Sequence, residues 1–426
     1  MRILHLSPRY WPVVGGAEIH FGEISGRLAA EGHQVTVATT DALDVEFFWN
    51  PRCRGIAEPA AAHAGVQVRR FGVRQLPVAG LAYPAVRRLL WVLSLARMAP
   101  VGLLARLARL TPYIPDLWRW LEDTDEPFDL VAGMGICFEP LLEAGLRFAK
   151  RRGIPFVAYP LTHLGAGLRP GADALSRFYT MRHQVALLRA SRAAVMQTPA
   201  EQAFYRAQGV PAERLIVGGP GVTPAHVLGG DAARFRQRHA IGGLLVASLS
   251  AMCYDKGTVH LVEAVRRLWQ AGQAVDLALA GAITQPFRAY LTRLPPDDRA
   301  RLHVLGAVDD AEKRDLLAAA DVFAMPSRTD SFGIVYLEAW LYRKPVIGAR
   351  TWGVMDVIED GRDGLLVPFG DVPALTSALS DLLSDAARRA AMGAWGEEKV
   401  YRMYTWDIQY PRVRDLYGQL VATGRD

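Results

Sequence analysis

The 426 residues are 51% hydrophobic and 22% charged, the balance of a globular chain, and at about 100–200 residues per domain they suit two domains or slightly more. No run of about 18 uncharged apolar residues offers a membrane span, and three cysteines, Cys53, Cys137 and Cys253, odd in number and too widely spaced for a CxxC site, exclude zinc and disulfide scaffolds. The formal charge of +6 is uneven, with 25 Lys and Arg against 18 Asp and Glu in residues 1–225 and 24 against 25 in the rest, so the first half is the side expected to face an anionic partner. These charges are spread along the chain rather than clustered with aromatics on one element, which argues against nucleic acid.

The opening MRILHLSP is a short strand pattern, without the basic start and longer apolar core of a signal peptide, so a cytoplasmic protein is expected. Ile3–Ser7, the helically spaced Ala17–Ala30 and Val35–Ala38 after Gly32-His33 read as strand, helix and strand, the start of a right-handed βαβ unit. Residues 74–127 interrupt the scheme with an apolar stretch studded with arginines, divided by Pro100 into two short helices. Leu89, Leu90, Trp91, Val92 and Leu93 cover every direction of a helical wheel. Two readings stay open for this insert: a helical hairpin packed on its domain, or a surface for a lipid or other apolar acceptor, with Arg87, Arg88, Arg106 and Arg109 pairing with phosphates.

Strand patterns resume at Leu130–Ala132, Phe156–Tyr159 and Ala194–Gln197, and apolar periodicity stops in the Gly- and Pro-rich stretch Gly218–Gly230. A second series follows at Leu244–Leu249, Val275–Ala280, His303–Leu305, Val322–Met325, Pro345–Gly348 and Gly364–Val367. Two successive α/β series predict two doubly wound domains.

The segment MPSRTDSFGIVYLEAWLYRKPV, Met325–Val346, carries the most chemistry. A turn of small residues, Asp330-Ser331-Phe332-Gly333, leads from a strand's carboxyl end into a helix beginning near Ile334, so free backbone N–H groups and a positive dipole end offer a seat for phosphate. Gly333 removes the side chain that would block close approach. Glu338, on the second turn, would repel phosphate, so its expected work is accepting hydrogen bonds from hydroxyls on the same ligand.

Two carboxylates eight positions apart around S-F-G, followed by K-P-V-I-G and E-D-G-R-D-G-L-L-V, resemble the EX7E region of the retaining glycosyltransferases of family 4. Pro12–Glu18 (P-V-V-G-G-A-E), Gly32–Val37, Pro220–Val222, Asp255–Gly257 and the pair Trp406 and Tyr417 match that family in order, over nearly the whole chain outside residues 74–127. The resemblance implies a GT-B fold of class α/β. Two Rossmann-like doubly wound domains, 1–225 on the acceptor side and 226–405 for the nucleotide sugar, would face an interdomain cleft, with a last helix at 406–426 crossing back to the first. Carried over by position, Lys256 would contact the donor diphosphate, and Ser331, Phe332, Gly333, Ile334 and Val335 would line its phosphates. Asp330 would hold sugar hydroxyls, Glu338 the ribose or the sugar, Gly15 and Gly16 a loop closing over phosphate and sugar, and His163 the transferred sugar. The implied reaction retains anomeric configuration, with a nucleotide-diphosphate sugar as substrate and no metal or other cofactor, on a glycan, lipid-linked or small-molecule acceptor, and the insert could bring the protein to the inner membrane face.

The chain departs from the family pattern at Asp330 in place of Glu, at Ser331 where Gly is common, and at Thr223 after P-G-V. SLSAMCYDKG also lacks an arginine before Lys256, one cation fewer, worth about 1–3 kcal/mol in a charge-assisted bond. These departures motivate a second reading, a catalytically silent nucleotide-sugar or glycan-binding protein on the same scaffold. Each residue also has a plainer role: an ordinary turn at Gly15-Gly16, a solvated Lys256, a satisfied polar His163. A nicotinamide oxidoreductase would need GxGxxG where the chain has only Gly15-Gly16, and an epimerase shares the layout without these motifs.

Overall fold

A computed structural model describes residues 1–424. Its strands are β1 (Arg2–Leu6), β2 (Gln34–Thr40), β3 (Ala60–His63), β4 (Val66–Phe71), β5 (Leu130–Met134), β6 (Phe156–Tyr159), β7 (Ala193–Met196), β8 (Leu215–Val217), β9 (Leu244–Leu249), β10 (Val275–Ala280), β11 (Leu302–Gly306), β12 (Val322–Met325), β13 (Val346–Ala349) and β14 (Gly364–Val367). The first eight form one sheet in the order β3-β4-β2-β1-β5-β6-β7-β8, the last six another in the order β11-β10-β9-β12-β13-β14. Every pairing is parallel except β3 with β4. Parallel strands need crossovers and are covered on both faces, which is why β5 (LVAGM) and β12 (VFAM) are apolar throughout and fully buried. In each sheet the chain starts in the middle, builds one way and then jumps to the other side. The order therefore reverses between β1 and β5, and again between β9 and β12, and a crevice opens there at the strands' carboxyl ends.

By contacts the chain divides into two compact units. Met1–His163, Gly171–Gly219 and the chain from Tyr410 onward form one, and Leu164–Pro170 with Pro220–Gln409 the other.

Within the first unit, a line of hydrogen bonds ties the C-terminal helix, Trp406–Thr423, to β1. Tyr159 OH donates to Tyr417 OH (2.9 Å), which donates to His5 Nε2 (3.2 Å). The other ring nitrogen, Nδ1, meets Ser25 Oγ (2.8 Å), and that hydroxyl donates to the Phe21 carbonyl (2.7 Å). Because Ser25 spends its proton on Phe21, the donors line up one way only if His5 is neutral with its proton on Nδ1. Burial enforces that neutrality by lowering the His5 pKa to about 3.

The insert forms three helices, Ala79–Leu95, Val101–Ala108 and Pro115–Asp123. Leu90, Ala99, Leu104 and Ala108 close over Met181 as a small core. Arg87 points inward to Glu139 (2.5 Å), and Glu139 also accepts from His183 Nε2 (2.8 Å). Burial pushes the Glu139 carboxyl up, but Arg87 and His183 outweigh it and hold it below the ordinary range. The expectation that Arg87 faces a phosphate is therefore corrected, since its charge is consumed inside the fold. Arg109 is half-buried with its guanidinium 4.0 Å above the Trp118 ring, while Arg88 and Arg106 are exposed.

Replacing Tyr417 by Phe should lower unfolding free energy by about 1–3 kcal/mol, because His5 Nε2 and the Tyr159 hydroxyl lose a buried partner at no change in shape. Equilibrium urea unfolding measures it.

Candidate functional site

Two β–α loops meet at the crevice between β9 and β12. The first runs from β9 through Asp255 and Lys256 to Gly257, which caps the helix Thr258–Gln270. The second runs from β12 through Arg328 and Asp330 to Gly333, which caps the helix Ile334–Leu341. Their backbones join, with the Arg328 N–H donating to the Asp255 carbonyl (3.0 Å). Gly257 has φ +74°, and a Cβ there would stand 2.2 Å from the Pro326 carbonyl oxygen, so only glycine lets the loops come this close.

That approach sets two ion pairs across the seam. Lys256 Nζ donates to both carboxylate oxygens of Asp330, at 2.9 and 3.0 Å. Arg328 Nη2 lies 2.6 Å from Asp255 Oδ1, its guanidinium over the rings of Tyr254 and Phe369. The sequence reading missed Arg328, which brings to the seam, from the β12 side, a cation of the kind SLSAMCYDKG lacks. The signal was its place two residues before Asp330.

Behind the seam, Gly333 takes φ +88° and lies against the Tyr336 ring; Tyr336 is buried and donates to the Met325 carbonyl (2.6 Å). The Phe332 side chain is core, edge-on to Tyr404, so Phe332 presents only backbone. Ser331 is fixed by its carbonyl, which Gly353 approaches so closely that a Cβ would sit 2.2 Å away. Ile334 and Val335 open the helix, where backbone N–H groups have no intrahelical acceptor. Glu338 is buried, and its Oε1 accepts from Lys313 Nζ (3.1 Å), a partner the sequence did not reveal, on the helix Asp310–Ala319. Both candidate carboxylates are thus answered by lysines in a chain whose basic residues are mostly arginine. An incoming diphosphate could draw Lys256 from Asp330 and leave that carboxylate able to accept hydroxyl protons.

The remaining candidates lie in the first unit. Gly16 starts the helix Gly16–Ala30, with Gly15 as its extended N-cap. The buried Glu18 folds back over Gly15 and pairs with Arg9 (2.8 Å) beyond β1. His163 follows β6, its ring 4.7 Å from that of Tyr179. Among the described residues no group of three or more His, Cys, Asp or Glu side chains is placed to hold a metal ion.

Two family models match the chain: a glycosyl transferase 4-like domain over residues 15–221 and glycosyl transferases group 1 over residues 243–385. A GDP-mannose-dependent alpha-(1-6)-phosphatidylinositol monomannoside mannosyltransferase of Mycolicibacterium smegmatis is 34% identical over 194 residues, 43% of this chain and 50% of the relative. The chain thus spans about half the length of that relative. A D-inositol 3-phosphate glycosyltransferase of Xylanimonas cellulosilytica is 29% identical over 294 residues, 65% of this chain and 69% of the relative. Among solved structures, Anabaena HepE in complex with UDP superposes with a TM-score of 0.69 at 20% identity, covering 98% of this chain and 100% of that one. Sucrose-phosphate synthase of Thermosynechococcus elongatus reaches 0.70 at 17% identity, covering 99% and 100%.

Gly333→Ala should destabilise the second unit by more than the 1–2 kcal/mol that a left-handed backbone costs an L-residue, because its Cβ would stand 2.4 Å from the Tyr336 ring. Gly361→Ala is the comparison, with φ +85° and nothing within 4 Å. Thermal unfolding of the two variants separates the steric from the conformational term.

Proposed function

The chain belongs to the glycosyltransferase 4 family and has its GT-B fold, and from that premise we propose that it moves a sugar from a nucleoside-diphosphate donor to an acceptor hydroxyl with retention of configuration and without a metal ion. The observation that carries the reading is Lys256 held on Asp330 just upstream of the glycine-capped helix Ile334–Leu341. The donor diphosphate takes over the Lys256 ammonium and the helix's free N–H groups, so positive potential meets the leaving charge as it develops. Asp330, released, accepts from sugar hydroxyls, and Glu338 from the ribose or the sugar. The bond from the anomeric carbon to the phosphate oxygen breaks, a bond to the acceptor oxygen forms on the same face, and the acceptor's proton passes to a donor phosphate oxygen.

A thermal-shift panel of GDP, UDP, ADP and dTDP with EDTA present tests the donor site. GDP and UDP head it, since one relative is named for GDP-mannose and one structural neighbour holds UDP. A nucleotide at 100 times its dissociation constant adds about 2.7 kcal/mol. Lys256→Ala should weaken the binding about 10–100-fold, less at high salt. Absence of any shift overturns the donor site, and binding or turnover that strictly requires Mg²⁺ or Mn²⁺ overturns the metal-free reading.

The acceptor reading rests on the outward side of the insert. Leu81 (73% exposed), Leu95 (68%) and Met98 (75%) stand out with Leu89, Val92 and Leu103, and Leu81, Arg88, Val92 and Leu95 recur at helical spacing on one face. Residues 75–115 hold five arginines and no Asp or Glu, a composition that suits an anionic lipid surface or lipid-linked acceptor. No helix among the described residues is long and apolar enough to cross a membrane. Wild type should co-sediment with anionic vesicles at low salt, and a variant with Arg88, Arg97 and Arg106 changed to Gln several-fold less. Protein that stays in the supernatant makes the insert a structural hairpin.

A further inference from the structure

The first unit buries three carboxylates among its described residues, and Glu201 differs from the other two. Glu18 faces Arg9 and Glu139 faces Arg87, whereas Glu201 faces backbone. It is the third residue of the helix Pro199–Ala207, and its N–H donates to the hydroxyl of the N-cap Thr198 (3.3 Å). In a capping box the glutamate at this position turns back to the N-cap's own N–H. Here the carboxylate reaches further, accepting from the Gln197 N–H (2.8 Å) with Oε2 and from the Thr162 N–H (2.6 Å) with Oε1. Gln197 follows β7 and Thr162 follows β6, so one side chain holds the carboxyl ends of two neighbouring strands.

The turn it holds needs holding. Leu161 has φ +50°, a left-handed conformation that a branched side chain rarely adopts and that persists only where its surroundings impose it. Thr162 is fixed twice, its amide on Glu201 and its hydroxyl on Tyr205 OH (2.8 Å). The next residue is His163. We propose that Glu201 is a positioning residue for His163: the ionised carboxylate locks the Leu161–His163 turn by accepting both amides, and its protonation loosens its hold on one of them.

The chemistry follows from counting acceptors. An ionised carboxylate offers two strongly accepting oxygens, one to each amide; protonation makes one of them a hydroxyl, a donor that keeps only weak acceptor capacity, so the amide it held is bound less firmly. The groups facing Glu201 are the Thr162 and Gln197 amides and the Thr162 hydroxyl, which favour the charge, and the phenol of Tyr205 on its own helix, itself neutral because burial and Glu201 raise its pKa. Among the described residues no cation balances it. Burial outweighs the amides and moves the carboxyl from 4.5 up to about 7. In the unfolded chain the group ionises near 4.5 and in the folded chain near 7, so its contribution to stability falls as pH rises between those values and stays low above them. The fold therefore carries an ionised Glu201 above neutral pH against its own stability, and what the ionised form supplies is the geometry of the turn.

The assignment rests on the transferase reading and on the contact with the transferred sugar that the family resemblance implies for His163, but its test does not need turnover. In amide spectra of the ¹⁵N-labelled, deuterated full chain, the Thr162, His163 and Gln197 resonances should titrate together with a midpoint near pH 7. Glu201→Gln should abolish that midpoint, and Thr162→Ala, which keeps the amide, should preserve it. Resonances that stay flat from pH 5.5 to 8.5 in folded wild type overturn the proposal whatever the variants do, and so does a midpoint that survives in Glu201→Gln. Titration of Thr162 and Gln197 without His163 leaves Glu201 an anchor of the strands alone and overturns the positioning role. If the titration holds while no nucleotide sugar is turned over, the transferase reading fails and the switch stands.

Discussion

The close approach of the loops leaving β9 and β12 is the constraint on which the candidate site depends. Parallel strands send consecutive crossovers to the same end of a sheet, and the reversal of strand order leaves a crevice between the two central ones. Here the crevice is narrowed until Gly257 rests against the Pro326 carbonyl and the Arg328 amide meets Asp255. With the backbones locked, Lys256 and Arg328 have carboxylates directly across the seam. The site is therefore charged yet internally balanced before any ligand arrives, and binding an anion means exchanging partners rather than burying a new charge, which keeps desolvation small.

Lysine suits that exchange. Its ammonium is a compact charge on a flexible stem with three rotatable donors, whereas arginine's planar fork favours a fixed bidentate geometry. In a chain with few lysines, Lys256 and Lys313 stand on the two candidate carboxylates, Asp330 and Glu338. Arginines do the fixed work: Arg87 pins the insert to Glu139, Arg9 pins Glu18 over Gly15, and Arg234 holds Asp315 through both oxygens, at 2.6 Å each.

In the first unit, burial sorts the charges. A guanidinium is brought inside only where a carboxylate and hydrogen bonds meet it, as at Glu139. The arginines of the insert without such partners remain outward, among leucines that the small core around Met181 cannot cover. The same rule makes Glu201 distinctive, since amide dipoles replace the cation and leave its proton equilibrium near neutrality.

From the sequence alone, the α/β alternation, the two series and the strand–turn–helix at Met325–Val346 were legible, because hydrophobic period, turn glycines and helix starts are local properties of a few consecutive residues. The edge strands β3 and β8 were not: Ala60–His63 is a nearly exposed AAAH without alternation, and β8 has three residues. Within the candidate site, Gly333 and Glu338 were singled out by the strand–turn–helix pattern and Asp330 and Lys256 by the family resemblance, but their partners were not legible. Lys256 lies 74 positions from Asp330 and Lys313 25 from Glu338, and Arg87, which the lipid-facing reading of the insert placed outside, lies inside. Which side chains meet is decided by the strand order that places two loops side by side and by the burial that forces each charge to find a partner, and both are properties of the folded chain rather than of any stretch of it.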